Sequence, residues 1–179
     1  MALRKVIVKG DPLLRKKSRE IKVVTERTRL LAEDMWETMY EANGVGLAAP
    51  QVGVLRRIIV IDVTEPPDDS EEENDEGAEQ KPEPEIIKYV FINPEVVESS
   101  EEKVKAKEGC LSVPGKVGIV ERPARIKVRA MDLDGKYFEV EGEGMLSKAL
   151  LHEIDHLEGV LYTDIAELVE EIEEPSEQP

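Results

Sequence analysis

Residues 145–157 read MLSKALLHEIDHL and form the most strongly patterned stretch of this 179-residue chain. Apolar side chains recur in it at intervals of three or four positions, which places them on one face of an α-helix. They are Leu146, Leu150, Ile154 and Leu157. Gly159 follows and is a typical helix stop. The stretch therefore predicts an amphipathic helix over residues 145–157.

The same helix contains both histidines of the chain, His152 and His156, within the motif HEIDH. A spacing of four residues puts both imidazoles on one face about a turn apart, where they can share a metal ion. Glu153 lies beside them and can reach a water bound to that ion. Two unrelated surface or core histidines would rarely have this spacing with a glutamate directly after the first. The motif therefore indicates a metal site.

A second helix and several strands are predicted in the rest of the chain. Residues 25–43 carry apolar side chains at helical spacing and are followed by Gly44. Short runs rich in valine and isoleucine predict strands, and the turn signal Asp134-Gly135 joins the last two of them. The runs are residues 6–9, 57–63, 87–92, 96–98, 104–107, 119–120, 126–131 and 137–140. We therefore predict an α+β fold whose strands are mostly antiparallel.

The net charge of −16 is concentrated in two segments that combine glutamate with proline and serine. Residues 65–85 hold 11 acids and one base, and residues 167–179 hold six acids and no base. The rest of the chain carries 23 acids and 23 bases, so it offers no basic face for nucleic acid or a membrane surface. We predict one domain over residues 1–166, with a disordered acidic insert at residues 65–85 and a flexible acidic tail at residues 167–179.

The expected compartment follows from two further features. No run approaches the roughly 20 apolar residues of a membrane span, and the first residues do not have the pattern of a signal peptide. The single cysteine, Cys110, cannot form an intramolecular disulfide, which suits a reducing compartment. The sequence therefore predicts a cytoplasmic protein.

A catalytic metal site needs three protein ligands and an open position, so a third ligand has to come from outside the helix. Cys110, in the segment EGCLSVPG, is a candidate, although a lone cysteine can also be a small buried hydrophobe. The segment GVGLAAPQ at residues 44–51 has glycines that let backbone approach a substrate, and Gln51 offers an amide. It can also be only a helix stop and a tight turn with a surface glutamine. The residues by themselves leave these alternatives open.

Taken together, GVGLAAPQ, EGCLS and HEIDHLEG, in this order and at this separation, resemble the three signature motifs of the peptide deformylase family. A looser likeness runs from residues 9–15 to about residue 164. The resemblance implies antiparallel sheets packed around a central helix that carries the two histidines, with residues 1–166 as the catalytic domain. It also implies a metal-dependent hydrolase that removes the formyl group from the N-terminal formylmethionine of newly made polypeptides.

The resemblance further implies a role for each matching residue. Cys110, His152 and His156 bind one divalent metal ion, which is often Fe²⁺ in the family, while Zn²⁺, Ni²⁺ and Co²⁺ also suit these donors. Glu153 is the general base and acid. The side-chain amide of Gln51 and the backbone N–H of Leu111 stabilise the oxyanion.

Substrate contacts are implied in the same way. Backbone around Val45, Gly46 and Gly109 pairs with an extended peptide, and an apolar pocket takes the methionine side chain. Its predicted walls are Val45, Met145 and Ala149, for which ordinary core packing is the alternative. At the rim, Lys148 stands where the family more often has an apolar residue or arginine.

A supporting pair and two rival functions complete the expectations. Glu108 and Arg122 are predicted to pair behind Cys110 and hold it in position, the alternative being a weak surface ion pair. A zinc metallopeptidase or a structural metal-site protein without catalysis remain the rival functions. Expected partners are formylmethionyl nascent peptides and, weakly and transiently, the ribosome, with no direct binding of nucleic acid and no membrane.

Overall fold

The computed structural model describes residues 2–64 and 85–172. The helices are α1 (Glu26–Glu41), α2 (Gly144–Leu157) and α3 (Tyr162–Ile165). The strands are β1 (Gly46–Ala48), β2 (Ile58–Asp62), β3 (Lys88–Ser99), β4 (Lys103–Cys110), β5 (Val113–Pro123), β6 (Arg125–Met131), β7 (Tyr137–Glu143) and β8 (Leu168–Glu171). Single 3-10 turns lie at Pro12–Arg15 and Ala49–Val52.

The strands form two antiparallel sheets. One has five strands in the order β1-β2-β3-β6-β7, and the other has three in the order β4-β5-β8. Every pairing between these strands is antiparallel. The prediction of an α+β fold built from antiparallel strands is confirmed.

Both faces of the five-stranded sheet are covered by a helix. Successive side chains of a strand point to opposite faces. In β2, Ile58 and Val60 therefore pack in the cluster that contains Met35 and Met39 of α1, while Ile59 and Ile61 pack in the cluster of α2. Burial on both faces explains why β2 is continuously apolar.

Helix α2 lies against the five-stranded sheet and also touches the three-stranded one. It contacts β1, β2, β6 and β7 of the first sheet and β5 of the second. Leu150 and Leu157 on its apolar stripe are fully buried. The helix ends where predicted, since Gly159 just beyond it has φ +74, and a side chain there would collide with the backbone of Arg15.

Three details differ from the predictions. Residues 6–9 form no strand, although the Ile7 N–H donates to the Gln51 carbonyl at 2.8 Å. The separate runs 87–92 and 96–98 belong to one strand, β3. It continues through Pro94, where the register of its pairing with β6 shifts. Strand β1 was not predicted, because its three residues are too short and too small to carry a strand pattern.

The boundary of the acidic tail is corrected at its first residues. Leu168–Glu171 form β8 and pair with β5, so the chain does not become a flexible tail at residue 167. Backbone hydrogen bonds hold this strand although its side chains are exposed. Residues 173–179, like residues 65–84 of the insert, lie outside the described residues, and their predicted disorder stays a prediction.

The insert can be tested by deletion, because its two ends are held together. The Val63 N–H donates to the Ile87 carbonyl at 2.9 Å, and the Ile87 N–H donates to Thr64 Oγ1 at 3.0 Å. Replacing residues 66–84 with a short Gly/Ser link is therefore expected to change the melting temperature by less than about 5 °C. Calorimetry of this variant, beside one with a Gly/Ser segment of the original length, measures the effect. A larger loss in both variants would show that the insert packs on the body.

Candidate active site

Three side chains that can bind a metal ion meet beside a cleft of about 370 Å³. Cys110 Sγ lies 3.2 Å from His156 Nε2, and the ligand atoms of Cys110, His152 and His156 are all within 4.8 Å of one another. Around a tetrahedral ion with bonds of ~2.0 Å to nitrogen and ~2.3 Å to sulfur, neighbouring donor atoms are about 3.5 Å apart. The three side chains therefore fit one ion.

The β4–β5 hairpin is irregular where it carries the cysteine. Its register pairs Glu108 with Gly118 but Cys110 with Val113, so the ladder shifts between these pairs. Such irregularities change the direction of a side chain relative to a regular strand. Here the cysteine reaches the two histidines of α2, where four-residue spacing has placed them on one face.

A chain of ion pairs supports His152 from behind. Its Nδ1 is 2.9 Å from Glu108 Oε2, which leaves Nε2 for a metal. Arg122 donates from Nη2 to Glu108 Oε2 at 3.0 Å and from Nη1 to Asp155 Oδ2 at 2.9 Å. Glu108 and Arg122 are both buried, so this is not a weak surface pair. The network joins β4, β5 and α2.

The charges of this network follow from burial and contact. Burial would raise the pKa of Glu108, but hydrogen bonds from His152 and Arg122 outweigh it and lower that pKa to about 2. Burial, together with the neighbouring His152, lowers the pKa of His156 to about 3. Glu108 is thus an anion whose carboxylate lies against Nδ1 of His152 and orients the imidazole.

Glu153, the predicted general base, lines the same cleft as the three candidate ligands. It is buried, and its Oε2 has no hydrogen-bond partner among the described residues. Burial raises its pKa to about 7. A Cβ on Gly46 would be 2.7 Å from Glu153 Oε1, so only glycine lets β1 approach the carboxylate this closely.

Gln51 is held with its amide beside the cysteine. Its Oε1 accepts the Ala48 N–H at 2.9 Å, and its Nε2 lies 3.1 Å from Ser112 Oγ and 3.5 Å from Cys110 Sγ. Gln51 is buried and lines the cleft, so the reading of a surface glutamine in a simple turn is wrong. Leu111, next to the cysteine, also lines the cleft.

The structure brings the predicted substrate residues to the same cleft. Those that line it are Val45, Gly46, Gly109, Met145 and Ala149. Val45 and Met145 are about half exposed, at 47% and 51%, which is not the exposure of core residues. Ala149 is buried and also packs in the core cluster of α2, as the alternative for it predicted. Arg122 lies behind the cleft, where it holds Glu108.

Sequence reasoning missed several residues of the site, and three of them make contacts or line the cleft in ways that matter here. Asp155 binds Arg122. The sequence could have indicated this residue, because it lies within HEIDH on the same helix as the candidate ligands. Ser112 contacts Gln51, and it belongs to the EGCLS motif. Ile172 lines the cleft beyond β8, and no local pattern pointed to it.

The chain was compared with known proteins. The model of the family described as polypeptide deformylase matches residues 3–171. A peptide deformylase of Thermomicrobium roseum is 49% identical over 164 residues, covering 92% of this chain and 86% of that protein. The chain belongs to the peptide deformylase family. It is an enzyme of the class that removes the formyl group from N-terminal formylmethionine.

Solved peptide deformylases share the fold. The crystal structure of the Thermotoga maritima enzyme superposes with a TM-score of 0.79 at 37% identity. The match covers 94% of this chain and 100% of the Thermotoga chain. A class I type b peptide deformylase of Acinetobacter baumannii, crystallised with Met-Ala-Ser, has a TM-score of 0.77 at 31% identity, covering 92% and 98% of the two chains. Peptide deformylases depend on a metal ion, and Cys110, His152 and His156 form the corresponding candidate site in this chain. In the described part of the chain, none of the helices has the length and apolar character needed to span a bilayer.

Proposed function

We propose that this peptide deformylase hydrolyses the formyl amide of N-formylmethionyl peptides at a divalent metal ion held by Cys110, His152 and His156. The observation that carries the proposal is the meeting, beside one cleft, of these three donors with the buried Glu153 carboxylate. A structural metal site has no need of such a carboxylate. A metallopeptidase of the HExxH type has no need of a cysteine ligand or of a glutamine held 3.5 Å from it.

The donor set limits the metal without choosing one. A thiolate and two imidazoles suit Fe²⁺, Zn²⁺, Ni²⁺ and Co²⁺, and we propose Fe²⁺ as the native ion because the family often uses it. When bound, such an ion polarises the formyl carbonyl and brings the pKa of water from near 16 towards ~7. A thiolate donates more electron density than an imidazole, so the protein's own hydrogen-bond donors carry more of the stabilisation.

Glu153 and Gln51 perform the remaining chemistry in this proposal. Glu153 removes the proton of the attacking water and then delivers it to the nitrogen of the leaving amine. Negative charge develops on the formyl oxygen as the water attacks. The Gln51 side-chain amide and the Leu111 N–H donate to that oxygen, and one such donor is typically worth ~3 kcal/mol. The Ala48 N–H and Ser112 Oγ hold the Gln51 amide in place beforehand.

The proposed substrate contact uses an open sheet edge. Strand β1 is the edge of the five-stranded sheet and pairs only with β2 within the described residues. An extended peptide can therefore add to β1 near Val45 and Gly46, with Gly109 on its other side, in a way that accepts many sequences. The side chain of the first residue then enters the part of the cleft next to Met145 and Ala149. The Acinetobacter enzyme, a relative at 31% identity, binds Met-Ala-Ser, which supports a site for peptides that begin with methionine.

The test is hydrolysis of formyl-Met-Ala by the metal-loaded protein. Release of formate with an intact Met-Ala product supports the proposal. Acetyl-Met-Ala and unformylated Met-Ala are the controls, and cleavage of the Met–Ala bond would indicate a metallopeptidase. Metal-dependent stability without any turnover would indicate a structural site.

We propose that the protein acts in the cytoplasm on formylated chains that emerge from the ribosome. Its own binding to the ribosome is proposed to be weak. The body of the protein is near neutral, and residues 167–179 carry six acids, which repel ribosomal RNA. Because Leu168–Glu171 form β8, the tail is best removed after Ile172. Co-sedimentation at low salt is expected to show that the full chain binds no more tightly than the 1–172 protein. Tighter binding by the full chain would make the tail a docking element.

A further inference from the structure

Lys148 spans the wall of the cleft between α2 and β4. It is half-buried and lies one helical turn before His152. Its Nζ donates a hydrogen bond to the backbone carbonyl of Lys107, a residue of β4, at 3.2 Å. The aliphatic stem therefore crosses the gap between helix and strand. This wall of the cleft is apolar along the stem and cationic at its end.

The first residue of a substrate is the one that meets this wall. Its formyl carbon has to lie at the metal ligands, so its side chain occupies the cleft immediately beside them. Met145, Lys148 and Ala149 are the residues of α2 that line the cleft within two turns before His152. Residues four apart on a helix have side chains that neighbour each other, so Lys148 stands next to His152.

A smaller cavity of about 190 Å³ lies on the other side of Lys148. It shares Glu108, Met145 and Lys148 with the cleft. The partition between the two spaces thus includes two long, flexible side chains, Met145 and Lys148. A slightly larger first side chain can be accommodated when these side chains shift, without movement of the backbone.

The ammonium of Lys148 is a charged hydrogen-bond donor on the α2 wall of the cleft. The carboxylates nearby are acceptors and not donors: Glu108 is already bonded to Arg122 and His152, and Glu153 is buried beside the metal ligands. Of the three N–H groups of Lys148, one is taken by Lys107 within the described part of the chain. The α2 wall of the cleft therefore combines the apolar side chains of Met145 and Ala149 with the charged donor of Lys148.

Building on the proposed function, we propose that Lys148 extends the substrates of this site to peptides that begin with N-formylmethionine sulfoxide. Oxidation gives the methionine sulfur an oxygen that accepts hydrogen bonds strongly. In a wholly apolar pocket that oxygen loses its water without a replacement, which disfavours binding. Lys148 Nζ replaces the water with a charge-assisted hydrogen bond. Methionine and norleucine, which lack the oxygen, gain nothing from the ammonium.

The test compares three substrates with three proteins. The kcat and KM for formyl-Met-Ala-Ser, its sulfoxide and its norleucine analogue are measured with the metal-loaded protein, Lys148→Met and Lys148→Arg. Lys148→Met is expected to lower the sulfoxide-to-methionine ratio of kcat/KM by about tenfold, mainly through KM. The norleucine-to-methionine ratio is expected to stay constant, and Lys148→Arg is expected to retain most of the sulfoxide activity.

Two controls separate Lys148 from general effects. Lys116 also lines the cleft but lies on β5, and Lys116→Met is expected to leave the sulfoxide ratio unchanged. Competitive inhibition by Met(O)-Ala-Ser and Met-Ala-Ser gives the same comparison without turnover. The inference is overturned if Lys148→Met leaves the ratio unchanged or if Lys116→Met lowers it equally. Absence of any formyl-Met-Ala-Ser hydrolysis would instead refute the proposed function.

Discussion

Substitution of Glu153 by alanine is expected to lower kcat by about 10²–10⁴-fold while the protein keeps its metal. The carboxylate is buried, and no described residue bonds its Oε2, so the fold does not depend on a contact through that atom. Cys110, His152 and His156 would remain in place to bind the ion. Removal of the base therefore separates proton transfer from metal binding.

The measurement for Glu153 combines kinetics with elemental analysis. Formyl-Met-Ala hydrolysis is compared at equal metal content for the unmodified protein, Glu153→Ala and the isosteric Glu153→Gln. Glu158→Gln is the matched control, because this glutamate caps the same helix but pairs with Arg57 outside the cleft. A metal-replete Glu153→Ala protein whose activity falls by less than about tenfold would contradict the assignment.

Substitution of Cys110 by serine is expected to remove metal and activity together. A neutral alcohol is a poor replacement for a thiolate ligand, and the sulfur is in contact with both His156 and Gln51. The loss of a ligand should weaken metal binding by more than the 10–100-fold that is typical for loss of a supporting residue. The loss of metal and the loss of activity should appear in the same preparation. Cys110 Sγ is both the proposed metal ligand and the atom beside the Gln51 amide.

Metal titration and peroxide treatment measure this effect independently. Mild peroxide should inactivate the metal-loaded protein and release the ion. Dithiothreitol followed by addition of the metal should restore activity as long as the sulfur has gone no further than sulfenic acid. Cys110 is the only cysteine, so the thiol chemistry is assigned without ambiguity. Full activity in a metal-replete Cys110→Ser protein would place the third ligand elsewhere.

The helices could be predicted closely because a helix is held by hydrogen bonds between neighbours in sequence. The prediction of residues 145–157 corresponds to α2 at Gly144–Leu157, and that of residues 25–43 to α1 at Glu26–Glu41. The strands were predicted less well. β8 is acidic and β1 has only three residues, two of them small. Both are strands because another strand of the folded protein offers them a hydrogen-bonding partner.

The two histidines and Glu153 are placed by local helical spacing alone, which is why HEIDH indicated a metal site from the sequence. Cys110 could be selected as third ligand only through resemblance to a family, because 41 residues lie between it and His152 in the chain. No local pattern shows that Arg122 joins Glu108 to Asp155, or that the Lys148 stem crosses from α2 to β4. These contacts exist because two sheets and a helix pack together, and side chains distant in sequence meet only after that packing has formed.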